Sequence, residues 1–149
     1  MKEKIISGLL FLAIGVHAQV SPNFKDKFDF SLIENKVVLI NSLIKGEKAT
    51  LFFDTGASSS AIDSSFAKKV GIVPNSQNDV EGAGGKKTYK EALNQSILIN
   101  NTKIDSIDFV IDDFTRLKAS SFKINFDYII GYSLLKNYKT EINFDKKSI

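Results

Sequence analysis

Leu51, Phe52 and Phe53 form an apolar, β-prone run that stops at Asp54 and gives way at once to Thr55, Gly56, Ala57, Ser58, Ser59 and Ser60. A strand that ends this way lifts a carboxylate off its last residue into a tight loop. Gly56, with no Cβ, lets another backbone or another copy of the loop come within contact distance. The Thr55 hydroxyl can hold the loop by hydrogen bonds. Read locally, Asp54 is also what a plain turn after a strand would carry, because Asp and Gly dominate turns. The rest of the chain has to separate these readings.

The N-terminus has the pattern of a secretory signal. Lys2 and Lys4 make a basic start, residues 5–16 are apolar but short for a bilayer crossing, and Val16-His17-Ala18 offers small residues before Gln19. Residues 1–18 are therefore expected to be a cleaved signal peptide, with an uncleaved membrane anchor as the alternative, and residues 19–149 to be one domain. The chain has no cysteine, hence no lipid-modified cysteine to tether it, and its one histidine, His17, leaves with the signal. A mature chain without His or Cys excludes Cys–His and Ser–His–Asp mechanisms and a zinc site of the usual kind. Carboxylates remain for acid–base chemistry. The net charge is only +3, and pairs such as Lys68-Lys69, Lys86-Lys87 and Lys146-Lys147 are interleaved with acidic residues. No basic stripe with aromatic interleaving suggests a nucleic-acid partner.

The mature chain reads as mostly β. Strands are expected over residues 28–33, 36–44 and 49–53, the last two joined by a turn at Lys45-Gly46-Glu47. A helix should follow, capped by Asp63 or Ser64, apolar at Phe66, Ala67 and Val70, and ended by Gly71. Strands over 92–99 and 103–111 should meet at Asn100-Asn101. Residues 112–121 read as a loop, 122–126 as a strand, 132–138 as a short helix and 140–144 as a last strand. The sequons at Asn94 and Asn100 would matter only in a glycosylating host.

Three motifs in order, Phe53-Asp54-Thr55-Gly56-Ala57-Ser58-Ser59, Gly82-Ala83-Gly84-Gly85 and Ile129-Ile130-Gly131 with Leu134-Leu135, resemble the retropepsin-like aspartic proteases, single-domain relatives of the retroviral proteases that include exported bacterial forms. The resemblance runs from about Val37 to the C-terminus. It implies a single-domain, closed, barrel-like acid-protease fold, mostly β, with one or two short helices. It makes Asp54 the catalytic aspartate, Thr55 the brace against its counterpart in a second subunit, and Gly56 a partner for substrate backbone. Ala57, Ser58 and Ser59 would line the adjoining subsites. Gly82, Ala83, Gly84 and Gly85 would form the tip of a flap over the substrate, although alone they read as a flexible turn. Ile129, Ile130 and Gly131 would thread behind the aspartate loop. Tyr128 departs from the family's Asp-Gly-Ile-Ile-Gly pattern, and a side chain of that size could reshape the loop.

One Asp-Thr-Gly per chain implies a mechanism by counting. Two aspartates a few ångströms apart share a proton, so that one acts as general base on a water while the other polarises the scissile carbonyl. Asp63, Asp112, Asp113 and Asp127 lack the Thr-Gly context and read as caps, turns and surface charge. The second carboxylate is then Asp54 of another copy, on the two-fold axis of a homodimer. Residues 141–144 and the strand near Phe28 are candidates for a shared sheet. The expected function is an exported aspartic endopeptidase, periplasmic or secreted, acting on peptide or protein substrates, with no metal or organic cofactor and no stable membrane anchor. The alternative from another class is a non-catalytic module of the same fold that binds peptides or envelope proteins. A nucleotide or small-ligand site on the glycine loop is a third reading, disfavoured by the β context.

Overall fold

The computed structural model describes residues 26–82, 85–119 and 124–149. The expected signal peptide, residues 1–18, lies outside them. The chain builds β1 (Ser31–Ile33), β2 (Val37–Ile44), β3 (Glu47–Phe53), β4 (Ser60–Asp63), α1 (Ser64–Lys69), β5 (Ser76–Gly82), β6 (Gly85–Ile99), β7 (Thr102–Asp112), α2 (Thr115–Lys118), β8 (Tyr128–Ile130) and α3 (Tyr132–Leu135). The strands join in one sheet of order β1-β2-β3-β8-β4-β7-β6-β5, and a further pairing of Leu43 with Leu98 links β2 to β6. That link closes the middle of the sheet on itself. The mostly β, barrel-like fold expected from the resemblance is the one observed.

Local chemistry accounts for the elements nearest the aspartate. Ile44 pairs with Glu47 across a two-residue turn in which Lys45 and Gly46 both have positive φ, +49° and +85°. That geometry matches the twist of the flanking strands and fixes the register of β2 on β3. The partners Val38 and Phe53 then stand at the far end of the hairpin, one residue before Asp54. The Asn100 turn, with φ +54°, joins β6 to β7 as expected.

Two apolar clusters lie on opposite faces of β3 and β8. Leu51, Tyr128 and Ile130 enter the larger one, with Phe53 packed against it. Ile129 joins Val37, Phe114, Ile124 and Phe126 in the smaller, with Phe52 and Ala57 packed against that one. Successive side chains alternate between faces, so a strand covered on both sides needs an unbroken apolar run. Tyr128-Ile129-Ile130 is such a run. Tyr128 points into the larger cluster, fully buried, edge-on to Phe109, with its hydroxyl donating to Ser42 Oγ at 2.7 Å. Its bulk therefore fills the core on the face opposite Ala57 of the aspartate loop. Burial, opposed only in part by the bond to Ser42, pushes its phenol far above the usual tyrosine range.

Several expected elements differ. Residues 140–144 form no strand. Asn143 instead bridges Ser148 across a tight turn. Of residues 28–33 only Ser31–Ile33 is a strand, while Phe28 exchanges backbone hydrogen bonds with Ile149 at 2.8 and 2.9 Å and Phe30 donates to Lys147. Each terminus satisfies the other in short bridges, so alternation of side chains there does not extend into a ladder. Residues 124–126 are not in a strand, and 120–123 lie outside the described residues. The expected loop after Asp112 contains α2, opened by Asp113, whose carboxylate accepts from Thr115 N at 2.8 Å. Ser76–Gly82 and the first part of β6 carry no apolar alternation, in keeping with the exposure of residues 77–79, 87, 88 and 90, and β4 is too short to register as a strand in sequence.

Asp63 ends β4 and caps α1. Its Oδ1 accepts from Ser65 N at 2.8 Å, Phe66 N at 3.2 Å and the Ser65 hydroxyl, and its Oδ2 meets Lys118 Nζ of α2 at 3.0 Å. Burial alone would raise this carboxyl. The hydrogen bonds from Ser65, Lys118 and Phe66 outweigh it and hold the group below its ordinary 3.8. Asp63→Ala should cost roughly 2–4 kcal/mol at pH 7, from a lost cap and a broken, largely buried pair. A carboxyl depressed in the folded state stabilises above its unfolded value, about 3.9, and that contribution disappears as pH falls through the folded value. Urea unfolding of both proteins at pH 7 and then below pH 4 should show the gap closing with acid.

Candidate active site

The aspartate loop is Asp54–Ser59 in sequence order, 54 to 59, between β3 and β4. Its first residue continues the β3–β8 pairing. β3 and β8 run parallel, with Phe53 opposite Ile130, and Asp54 N then donates to Ile130 O at 3.1 Å. The ladder is extended at its other end by Asp127, whose Oδ2 accepts from Thr50 N at 2.8 Å while its own N–H donates to Thr50 O at 2.8 Å. Asp127 is thus an integral part of the sheet, as well as lying outside any Thr-Gly context. The strand that delivers Asp54 is locked along its length.

Within the loop, Gly56 N donates to Asp54 Oδ1 at 2.9 Å and Ala57 N to Asp54 O at 3.3 Å. A Cβ on Gly56 would stand 3.2 Å from that same Oδ1, so glycine leaves the carboxylate room beside its donor. Asp54 is half-buried, and Thr55 and Gly56 are exposed. No described residue hydrogen-bonds the Thr55 hydroxyl. The outer face of the loop is left open to solvent or to a partner.

The inner face is closed by the segment after β8. Tyr132 N donates to Ala57 O at 2.7 Å and Ser133 N to Ser58 O at 3.0 Å, so the first amides of α3 satisfy loop carbonyls. Gly131 passes so close that an added Cβ would lie 2.5 Å from Ser59 O and 2.7 Å from Ala57 O. Its φ of −115° is ordinary extended backbone, so the demand for glycine here is one of space. Ser60, fully buried at the loop's end, accepts from Gly131 N at 3.2 Å and lies 3.3 Å from Ser133 Oγ, which in turn accepts from Ser60 N at 3.0 Å. Ile129 and Ile130 sit behind the loop on the two faces of β8.

The sequence-derived residues fall into two groups. Asp54, Ala57, Ser58 and Ser59 are held against the segment from Ile130 to Ser133, while Thr55 and Gly56 stand exposed on the outer face of the loop. Gly82 and Gly85 pair with each other at the end of the β5–β6 arm, and Ala83 and Gly84 lie outside the described residues. β5 is an edge strand, paired only with β6. Ser60 and Ser133 were not singled out in sequence, and only their position across the loop distinguishes them from other serines. The remaining carboxylates are engaged elsewhere: Asp63 with α1 and Lys118, Asp112 with Lys87 at 3.8 Å, Asp113 with Thr115, and Asp127 in the ladder. Among the described residues no group of three or more His, Cys, Asp and Glu side chains could hold a metal ion, and no helix is long and apolar enough to cross a membrane.

A cavity of about 450 Å³ is lined by Phe53, Ile130, Leu51, Ile40, Phe28 and Tyr138 among others. Asp54 does not line it.

Gly131→Ala should destabilise the protein by about 1–3 kcal/mol or more, because the added methyl meets backbone that cannot swing aside. Guanidinium unfolding checks this. A variant as stable as the wild type would show that the loop can retreat from residue 131.

The chain was then compared with known proteins. The family model described as "Aspartyl protease" matches residues 40–134, well over half of the chain and spanning both the Asp54 loop and Gly131. No curated protein sequence matches it. Among solved structures, a retropepsin-like aspartic protease from Rickettsia conorii superposes with a TM-score of 0.57 at 19% identity, over 84% of this chain and 98% of that one. The retroviral protease-like domain of Ddi1 from Leishmania major gives a TM-score of 0.49 at 19% identity, over 73% and 79% of the two chains. At such identities the Rickettsia likeness is one of fold, and the family rests on the matched model. A strand-borne Asp-Thr-Gly loop, backed by an Ile-Ile-Gly strand in a closed β sheet, is carried by a chain that belongs to the aspartyl protease family.

Proposed function

We propose that this protein is an exported, homodimeric aspartic endopeptidase whose catalytic pair is Asp54 from each of two subunits. One observation carries the reading. Asp54 stands half-buried on an exposed loop, with one oxygen held by Gly56 N, while Asp63, Asp112, Asp113 and Asp127 are each engaged with partners elsewhere among the described residues. The missing partner is supplied if the exposed Thr55-Gly56 face meets the same face of another copy, an isologous contact about a two-fold axis. Thr55, whose hydroxyl has no partner among the described residues, would brace that contact.

In such a dimer the two carboxylates share one proton, because like charges a few ångströms apart do not both ionise. The ionised member takes a proton from a water as the water's oxygen attacks the scissile carbonyl carbon. The protonated member donates to the carbonyl oxygen, giving a tetrahedral diol. Collapse of the diol breaks the C–N bond and passes a proton to the leaving amine. Gly56 and the small residues Ala57, Ser58 and Ser59 leave room for an extended peptide beside the carboxylates, with Gly82 to Gly85 as the flap tip above it. No metal or organic cofactor takes part. Cleavage of residues 1–18 would release residues 19–149 to the periplasm or the cell exterior.

The test is cleavage of a diverse peptide mixture between about pH 4 and 7 by residues 19–149 and by the Asp54→Asn variant. The near-isosteric change should reduce cleavage by about 10²–10⁴-fold while the unfolding midpoint stays nearly constant. Specific activity should also rise with protein concentration around the dimer dissociation constant. A folded, dimeric wild type that cleaves nothing while still binding peptides would favour the non-catalytic binding module instead.

A further inference from the structure

We propose that the Ser60 and Ser133 hydroxyls form a clamp that positions Asp54, an inference that rests on reading Asp54 as the catalytic carboxylate. The loop from 54 to 59 is tied to the segment from Ile130 to Ser133 at four places. Three are backbone to backbone: Asp54 N to Ile130 O, Tyr132 N to Ala57 O and Ser133 N to Ser58 O. These persist under most side-chain changes. The fourth is the pair of hydroxyls at the point where the loop re-enters the sheet as β4.

That fourth tie is chemically unusual for its place. Ser60 has no exposed surface and lies in a strand whose next residues, Ala61 and Ile62, pack against the two apolar clusters. Burying a hydroxyl there is costly unless it is bonded. It is bonded twice over, accepting from Gly131 N and facing Ser133 Oγ, while Ser133 Oγ returns a partner to Ser60 N. An alanine at either position would leave a backbone N–H without its acceptor.

The clamp fixes one end of the loop against β8, and the bond from Asp54 N to Ile130 O fixes the other end against the same strand. Between these two anchors, Asp54 and Ser60, lie only five residues, so slack at Ser60 is transmitted to Asp54. Two carboxylates that must share a proton tolerate little misplacement. Ser60 and Ser133 touch neither the substrate nor the reacting atoms and act through the loop.

The experiment compares wild-type protein with Ser133→Ala, Ser60→Ala, the double variant and Ser133→Thr, which keeps the hydroxyl. Ser133 is half-buried, so its alanine variant keeps the test open if Ser60→Ala fails to fold. Peptide cleavage should show kcat reduced about 10- to 100-fold in Ser133→Ala with KM within about twofold. The double variant should be worse than either single one but by less than the two losses combined, because the hydroxyls face each other while each also holds its own N–H. Ser133→Thr should recover most of the loss. Amide exchange followed by NMR should quicken at Asp54 and Ala57 but not at the β2–β3 hairpin. A folded Ser133→Ala with unchanged kcat and unchanged loop exchange would overturn the proposal, as would exchange that quickens uniformly over the protein. If wild-type protein cleaves no peptide, the proteolytic reading fails and the exchange data alone decide whether the clamp holds the loop.

Discussion

The parallel pairing of β3 with β8 is the contact on which the rest of the site depends. It sets Phe53 beside Ile130, and the next bond along the same line, Asp54 N to Ile130 O, determines where the aspartate leaves the sheet. It brings Gly131 under Ala57 and Ser59 and starts α3 where its first amides meet loop carbonyls. Parallel neighbours need a long crossover, here everything from β4 to residue 127, and the separate pairing of Leu43 with Leu98 closes the sheet on itself.

Asp127 shows how firmly this line is held. Its carboxylate stands in for a strand carbonyl opposite Thr50, and its own carbonyl accepts from Asp63 N at 2.9 Å. One residue therefore links β3, β8 and the start of α1. Asp63 carries the linkage onward to Lys118 and α2 through its capping carboxylate. The two aspartates are structural, and the contrast with Asp54 is one of surroundings. They are consumed by donors on their own chain, whereas the half-buried Asp54 carboxylate receives one amide, that of Gly56.

Much of this was legible in the residues. The hairpin that presents Asp54, the capped helix after it and the Asn100 turn each follow from local chemistry, since Gly, Asn and Asp at those positions favour particular turns and caps. Tyr128 is a case where size alone misled. Its position suggests pressure on the aspartate loop, but the alternation along β8 sends Tyr128 and Ile130 to one face and Ile129 to the other, so the ring is spent on the core against Phe109. The alternation at residues 140–144 does not extend into a strand, because Asn143 folds back to bridge Ser148 across a tight turn. The β5–β6 arm is a long hairpin with no apolar rhythm, and residues 77–79, 87, 88 and 90 along it are exposed.

The sequence by itself determined an Asp-Thr-Gly at the end of a strand and a chain with no cysteine and only one histidine, which leaves acid–base chemistry mostly to carboxylates. Those properties are local or compositional, and no folding is needed to read them. Only the tertiary structure decided that Gly131 must be a glycine because of crowding, that Ser60 and Ser133 face each other, and that Asp127 completes a ladder with Thr50. These partners stand more than seventy residues apart in the chain. Nothing in the residue types of a distant pair marks them as neighbours, because such contacts are set by the closure of the sheet.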